Sequence, residues 1–351
     1  MMFEINDYNY ILPARLIARL PAEKRDHSRL LLVDRQDRKC SGYNFFELSL
    51  LLEPGDLLIF NDTKVVKARL RGKKESGGQV EILVLDHPSF ISGASQSRLC
   101  LMKSSKKPRE GHLLFFENGL SGQIEEVLPE GKVRIAFKNA NIDEQLEIQG
   151  QVPLPPYIKR TKDSDLKHLD SKRYQTIFSS VKGAIAAPTA GLHFTRELLE
   201  KLNKTGVDIA FLTLHVGYGT FSPVRVRDIK EHQLEEEYYN IPTATAKAIN
   251  KTKRAGGRVV AVGTTVVRTL EKVADKDGFI SAGGGKTKLL ITPGYSFKVV
   301  DALITNFHLP KSSLLFLVAA FTGLSLAKKA YSIAVADAYR FYSYGDAMLI
   351  V

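Results

Sequence analysis

The chain changes period in its middle, and that change limits the fold more than any other feature. Over residues 66–151 it consists of short extended runs, VKARL, QVEILVL, RLCLM, HLLFF, QIEEVL and KVRIAF. The turn sequences KKESGG, KKPREG, ENG and PEG separate them. Six strands at that spacing, with no helical period until about Asp143, predict a small antiparallel barrel. Beyond the connector VPLPPYIKR, whose prolines hold the backbone extended, strands alternate with helices. The expected order is strand GAIAA, helix RELLEKLNKTG, strand VDIAFLTLHVG, a helix over 243–255, strand RVVAVG and helix TVVRTLEKVA. Strand KLLITP, the segment VDALITNFHLP and a helical region over 314–342 complete it. Such alternation predicts an α/β layer with a largely parallel sheet.

The first sixty residues predict a short amphipathic helix ending before Pro21, a strand at 30–33, a helix at 45–52 and the buried strand DLLIFNDTK. These elements are expected to pack with the later α/β layer. The predicted fold is therefore α/β, with a mixed or mostly parallel sheet and flanking helices built from residues 1–64 and 152–351. A small antiparallel β-barrel is inserted at 65–151. No internal repeat is present.

Of the 351 residues, 44% are hydrophobic, enough for a large core and too many for a disordered chain. The balance of 50 Lys+Arg against 38 Asp+Glu leaves a net charge of +12, which favours polyanionic partners through counterion release. The absence of Trp argues against an extended base-stacking platform. Lys103, Lys106, Lys107 and Arg109 form either an RNA-facing edge or a solvated loop. Cys40 and Cys100 stand alone, as in a reducing compartment, and form no thiolate cluster. The start MMFEINDYNYILP lacks a basic flank followed by an apolar run. The longest apolar stretch, 314–321, falls far short of the roughly 20 residues of a membrane span. A cytoplasmic protein with no membrane partner is expected.

Several common sites are missing. HVGYGTF supplies Gly217 and Gly219 but no third glycine for a dinucleotide turn. AGGGKT would need glycine at position 280 to be a phosphate loop, and Ile280 stands there. No metal-ligand spacing and no G-x-S-x-G occurs. What remains is a set of polar clusters at predicted strand ends: PTAGLHFT (188–195), TLHVGYGTF (213–221), AVGTTVVRTLE (261–271), TNFHLPKSS (305–313) and YRFYSYGDAM (339–348). In open α/β sheets, ligands bind outside the carboxyl ends of the strands. In AVGTT, a strand runs into Gly263 and Thr264 or Thr265 can cap the next helix, whose N–H groups suit a carboxylate or phosphate. Arg268, one turn further on, is either an anion clamp or a surface residue. His193, His215 and His308 lie at predicted loop mouths, with Asn306 beside His308. Asp346 can serve as a base, a ribose-binding group or a partner of Arg340.

Taken together, these segments resemble the S-adenosylmethionine:tRNA ribosyltransferase-isomerase family of queuosine biosynthesis. The similar blocks are LPARLIARLPAEKRDHSRLL, LEPGDLLIFNDTKVVKARL, AAPTAGLHFT, LHVGYGTFSPV, VAVGTTVVRTLE, ITPGYSFKVVDALITNFHLPKSSLL and YRFYSYGDAMLI. They span essentially the whole chain. The resemblance implies an α/β domain with an inserted barrel, acting on tRNA whose wobble base is 7-aminomethyl-7-deazaguanine. The ribosyl part of S-adenosylmethionine would move to the aminomethyl nitrogen and rearrange, giving epoxyqueuosine-tRNA with release of adenine and methionine. S-adenosylmethionine is then a co-substrate, no further cofactor or metal is implied, and a monomer is expected. The family's H-x-M-H-x-E stretch is His232-Gln-Leu234-Glu235-Glu-Glu237 here, so Leu234 and Glu235 stand where Met and a second His are usual.

This chemistry needs a base, an acid at the departing adenine, and donors for developing oxyanions. His215, His232 and Asp346 are the candidate proton carriers. Thr264, Thr265 and Arg268 are expected to hold the methionine carboxylate or an anionic intermediate. Asn306, His308 and His193 are expected to position ribose or base, and Gly217, Gly219 and Arg340 are further candidate substrate-binding residues. An RNA methyltransferase is the competing enzyme, but its glycine-rich turn is missing. A non-catalytic RNA-binding protein would explain the charge but not the polar strand ends.

Overall fold

In a computed structural model, residues 3–86, 96–160, 166–221 and 223–351 are described. The elements run β1 (Arg29–Asp34), β2 (Lys39–Asn44), β3 (Leu57–Asn61), β4 (Thr63–Val65), β5 (Arg69–Lys74), β6 (Gln79–Val84), β7 (Ser97–Ser104), β8 (Leu113–Phe115), β9 (Ser121–Val127) and β10 (Lys132–Lys138). Then come α1 (Ile142–Gln149), α2 (Leu166–Arg173), β11 (Val181–Ala184), α3 (Arg196–Lys204), β12 (Asp208–Leu214), β13 (Glu237–Ile241), α4 (Thr243–Arg254) and β14 (Val259–Val262). The chain finishes with α5 (Thr264–Val273), β15 (Gly283–Thr287), β16 (Ala302–Asn306), α6 (Ser313–Thr322), α7 (Leu324–Ala336) and β17 (Ala347–Ile350).

Among the described residues, one sheet has the order β15-β13-β12-β3-β14-β16-β17-β1-β2. Its centre, β12-β3-β14-β16, is parallel, as is the β17-β1 pair. The β16-β17, β1-β2, β12-β13 and β13-β15 pairs are antiparallel. The sheet is thus mixed rather than largely parallel. Strands β3, β14, β16 and β17 are buried along their whole length, which is why they read as continuous apolar runs.

Alternation along these strands divides the core into two layers. Leu57, Ile59, Val259, Ala261 and Leu303 face a cluster that includes Val266, Val267 and Leu270 of α5 and Phe316 and Val318 of α6. Leu58, Phe60, Val260, Val262 and Ile304 face Phe45, Leu48, Leu198 and Leu202 on the opposite side. Each large side chain removed from water in this way contributes about 1.5–3 kcal/mol.

The six strands expected from the turn pattern are β5–β10, and they close into a barrel in the order β10-β7-β6-β5-β8-β9. Ile142 and Leu146 of α1 complete its core. Arg69 and Gln151 exchange backbone hydrogen bonds of 3.1 and 2.9 Å, so the excursion leaves and returns to the α/β layer at one place.

Some local expectations change. The helix before Pro21 is only a single 3-10 turn, Ala14–Leu16, and the 45–52 helix is the 3-10 segment Phe45–Leu50. KLLITP is not a strand. Leu289 donates its N–H to Thr287 Oγ1 and gives its carbonyl to Arg268 Nε, which takes it out of the ladder. The strand lies just before it, in GGGKT, paired with β13. The region over 314–342 is two helices bent by 114° at Gly323, whose φ of +79° is left-handed.

Candidate active site

The parallel strands β12, β14 and β16 end at one edge of the sheet. The antiparallel β17, and β1 beside it, begin there. The polar clusters therefore converge on that edge. A cleft opens between them. Gly263, Thr264 and Thr265 line it after β14, and Thr305, Asn306 and His308 line it around the end of β16. Pro188, Thr189, Tyr157, Tyr342, Ser343 and Ser312 close it.

Among the described residues, no Asp, Glu, Lys or Arg side chain lines this cleft. Polarity comes instead from hydroxyls, amides and helix ends. Helix α5 starts at Gly263, whose φ of +98° turns the chain sharply and which offers no side-chain cap. Helix α6 starts at Ser312, whose hydroxyl accepts from Leu315 N. Two helix N-termini thus present partial positive charge to one space.

Asn61, which the sequence did not single out, braces this edge. Its Nδ2 donates to Leu214 O at 2.9 Å and to Thr265 Oγ1 at 3.3 Å, while Oδ1 accepts from Leu214 N and Thr63 N. One side chain therefore fixes the ends of β3 and β12 against the start of α5.

Asn306 and two histidines form the cleft wall. Asn306 Nδ2 donates to Tyr342 O at 3.1 Å and to His193 Nε2 at 3.0 Å. That network assigns Nε2 as acceptor and places the His193 proton on Nδ1, 2.7 Å from Ser28 Oγ. The His193 ring stacks on Phe45 at 4.9 Å. Asn306 Oδ1 is buried without a hydrogen-bond partner, and a buried orphan acceptor beside a cleft is what a missing donor from a ligand leaves behind. His308 Nε2 lies 2.8 Å from Thr305 Oγ1, and the His308 backbone N–H donates to the Tyr331 hydroxyl at 3.0 Å.

Burial pushes the imidazole of His308 down to about 3. Burial, then the charges of Arg340 and Arg25, do the same for His193. Both are neutral at physiological pH. The unfolded chain takes up these protons near pH 6.5 and the folded chain does not, so stability is full above pH 6.5 and falls as pH drops toward 3. Between pH 7 and 5 each histidine is expected to remove about 2 kcal/mol. Urea denaturation of wild type and His308→Gln at the two pH values checks this; a wild-type stability unchanged at pH 5 would contradict the buried neutral assignment.

The other sequence candidates lie elsewhere. His193 and Arg340 line a second pocket, of about 260 Å³, which shares Ser343 with the cleft. His232 and Gly219 line a groove of about 920 Å³ that faces the barrel. There Glu235, the residue in place of the usual second His, pairs with Lys132 of β10 at 2.5 Å.

His215, Gly217, Arg268 and Asp346 line neither pocket. Val216 faces the cleft, so the preceding His215 points away, to Thr63 Oγ1 at 2.7 Å, over the bare face of Gly183. Gly217 donates its N–H to Glu237 at 2.9 Å. Arg268 pairs with that same carboxylate at 2.5 Å rather than reaching the cleft. Asp346 accepts from Arg29 N and Arg340 N at 2.9 and 2.7 Å, and so clips β1 to the turn before β17. The three proposed proton carriers, His215, His232 and Asp346, are therefore not brought together. The cleft gathers Thr264, Thr265, Asn306 and His308, with His193 directly behind.

Among the described residues there is no cluster of three or more His, Cys, Asp or Glu suited to a metal, and no single helix is long and apolar enough to cross a membrane.

A mixed α/β layer with an inserted barrel, and a cleft of uncharged polar groups at its strand ends, mark the class as an α/β enzyme. Residues 5–350 match the family described as queuosine biosynthesis protein, and the chain belongs to that family. Two similar relatives are named S-adenosylmethionine:tRNA ribosyltransferase-isomerase. One, from Geotalea uraniireducens, is 49% identical over 348 residues, covering 99% of both chains. The other, from Carboxydothermus hydrogenoformans, is 49% identical over 350 residues, covering 99% of this chain and all of that one. A crystal structure of S-adenosylmethionine tRNA ribosyltransferase from Thermotoga maritima is 36% identical, with a TM-score of 0.55, and covers 98% of this chain and 100% of that one.

Proposed function

We propose that this chain transfers the ribosyl moiety of S-adenosylmethionine to tRNA and isomerises it. The acceptor is the aminomethyl nitrogen of 7-aminomethyl-7-deazaguanine at the wobble position, and the product is epoxyqueuosine-tRNA, with adenine and methionine released. The observation that carries this is the 49% identity over 99% of both chains to a relative named for the activity.

The cleft suits the co-substrate. The N-termini of α5 and α6 favour a carboxylate, which the methionine end supplies. The rings of Tyr157 and Tyr342, 4.6 Å apart at the cleft, offer electron-rich faces to the sulfonium, and among the described residues no lysine or arginine lines the wall to repel it. Thr264 and Thr265 add hydroxyls, and Asn306 Oδ1 awaits a donor from the nucleoside.

The sulfonium acidifies the adjacent 5′ carbon. That proton passes to a base, while His308, which burial holds neutral, positions the ribosyl group from the cleft wall. As adenine leaves, the substrate amine bonds to the former anomeric carbon. Ring closure then expels methionine and forms the epoxide. None of these steps calls on a metal.

The tRNA has a face to grip. A groove between the barrel and the connector is lined by Arg69, Arg71, Lys103, Lys159 and Arg160, with Glu81 beside Arg69 and Arg71 and Asp170 paired to Arg160. Such a surface binds phosphates with strong salt dependence. With tRNA and S-adenosylmethionine as its substrates, the protein works in the cytoplasm, as a monomer.

The deciding experiment incubates the protein with S-adenosylmethionine and tRNA carrying the aminomethyl base. Free adenine and methionine in equal amounts are expected. S-adenosylhomocysteine in their place would make it a methyltransferase, and binding of RNA with no turnover would make it a binding protein.

A further inference from the structure

The second pocket carries positive charge that the fold does not neutralise. Three arginines line it: Arg25, Arg173 at the end of α2, and Arg340. Among the described residues, Arg25 and Arg173 have no carboxylate partner, and Arg340 has only Asp346 at 3.9 Å. Their hydrogen bonds go to carbonyls instead. Arg25 donates to Leu192 O and Gln175 O at 3.0 and 2.8 Å, Arg173 to Ala22 O and Glu23 O at 2.6 and 3.0 Å, and Arg340 to Tyr344 O at 2.7 Å. Carbonyls fix the orientation of a guanidinium but cannot cancel its charge. Arg173 Nε is buried with no partner at all. Gathering three partly desolvated cations is costly unless an anion joins them.

The pocket's position says which anion. Ser343 borders both this pocket and the cleft, and the His193–Asn306 pair forms the wall between them. A nucleotide whose base enters the cleft would bring its own backbone alongside. A phosphodiester offers charge and several acceptor oxygens to converging guanidinium forks, whereas the single carboxylate of methionine already has the two helix ends inside the cleft.

We propose that Arg25, Arg173 and Arg340 form a phosphate subsite that holds the RNA backbone beside the wobble nucleotide, so that flipping the base into the cleft and seating its phosphate are one event. This rests on the reading that a tRNA base is the acceptor.

The test uses the full chain and anticodon stem-loop RNAs carrying the aminomethyl base, with a neutral methylphosphonate at each of the two phosphates flanking the wobble position in turn. One of the two is expected to weaken binding to wild type about tenfold. In Arg173→Gln, the normal RNA should bind about tenfold more weakly and the same methylphosphonate should add less than about twofold. S-adenosylmethionine affinity should not move. The wild-type arm stands even if the variant folds poorly. If neither methylphosphonate weakens wild type, or if Arg173→Gln weakens S-adenosylmethionine rather than RNA, the phosphate subsite is wrong. Adenine release is measured in parallel on the normal RNA. Its absence alongside a methylphosphonate effect would overturn the catalytic reading and leave the subsite standing.

Discussion

Replacing Glu237 by alanine is expected to cost about 3–5 kcal/mol of folding stability. Glu237 and Arg268 are buried together, with side chains only 4% and 6% exposed. Arg268 also donates to Leu289 O, and its Nη2 is buried without a partner. Removing the carboxylate leaves a cation inside the core, and strips the acceptor from Gly217 N. Because much of that loss is the stranded charge rather than the bond itself, the double variant Glu237→Leu/Arg268→Met should recover most of it. Urea denaturation of the two single variants and the double variant measures this. A cost under about 1 kcal/mol for Glu237→Ala would mean that the pair is not buried as described. The pair spans three elements: it binds α5 to β13 and, through Gly217, to the segment after β12. The arginine that the sequence offered as an anion clamp thus shapes the cleft from behind.

Asn306→Ala is expected to lower kcat/KM for adenine release by about 10²–10³-fold. The amide orients His193, holds the Tyr342 carbonyl and keeps Oδ1 at the cleft wall. Tyr342 itself has a φ of +72°, a left-handed backbone that persists only where its surroundings hold it. Losing the amide should therefore loosen the ring that flanks the cleft as well as remove an acceptor. Steady-state kinetics with a thermal melt on the same preparation checks this. Activity within about threefold of wild type in a folded Asn306→Ala would show that the wall takes no part in the reaction.

The barrel was legible because its information is local: alternating apolar residues and glycine-rich turns at a steady interval. The helices that cover the sheet were legible for the same reason. Strand β13 was hidden because it begins within the acidic run Glu235–Glu237, and β17 because four residues carry no period. At the candidate site, the strand ends themselves were readable, and Thr264, Thr265, Asn306 and His308 do line one cleft. What the sequence withheld was direction. A period of two sends Val216 into the cleft and His215 out of it. Asp346 spends its oxygens on two backbone amides. Arg268 meets a partner 31 residues earlier in the chain, with no local pattern to announce it. Asn61, Tyr157 and Ser312 reach the edge through turns that contain no catalytic motif, although the S-x-x-L start of α6 is an ordinary cap.

The most direct measurement follows isotope from S-adenosylmethionine into tRNA, with the label placed in the ribosyl carbons or in the methyl group. Ribosyl label should appear in the wobble nucleoside with wild type and nearly vanish with Asn306→Ala, while methyl label leaves as methionine. Methyl label retained in the tRNA, or ribosyl transfer that Asn306→Ala leaves intact, would contradict the account.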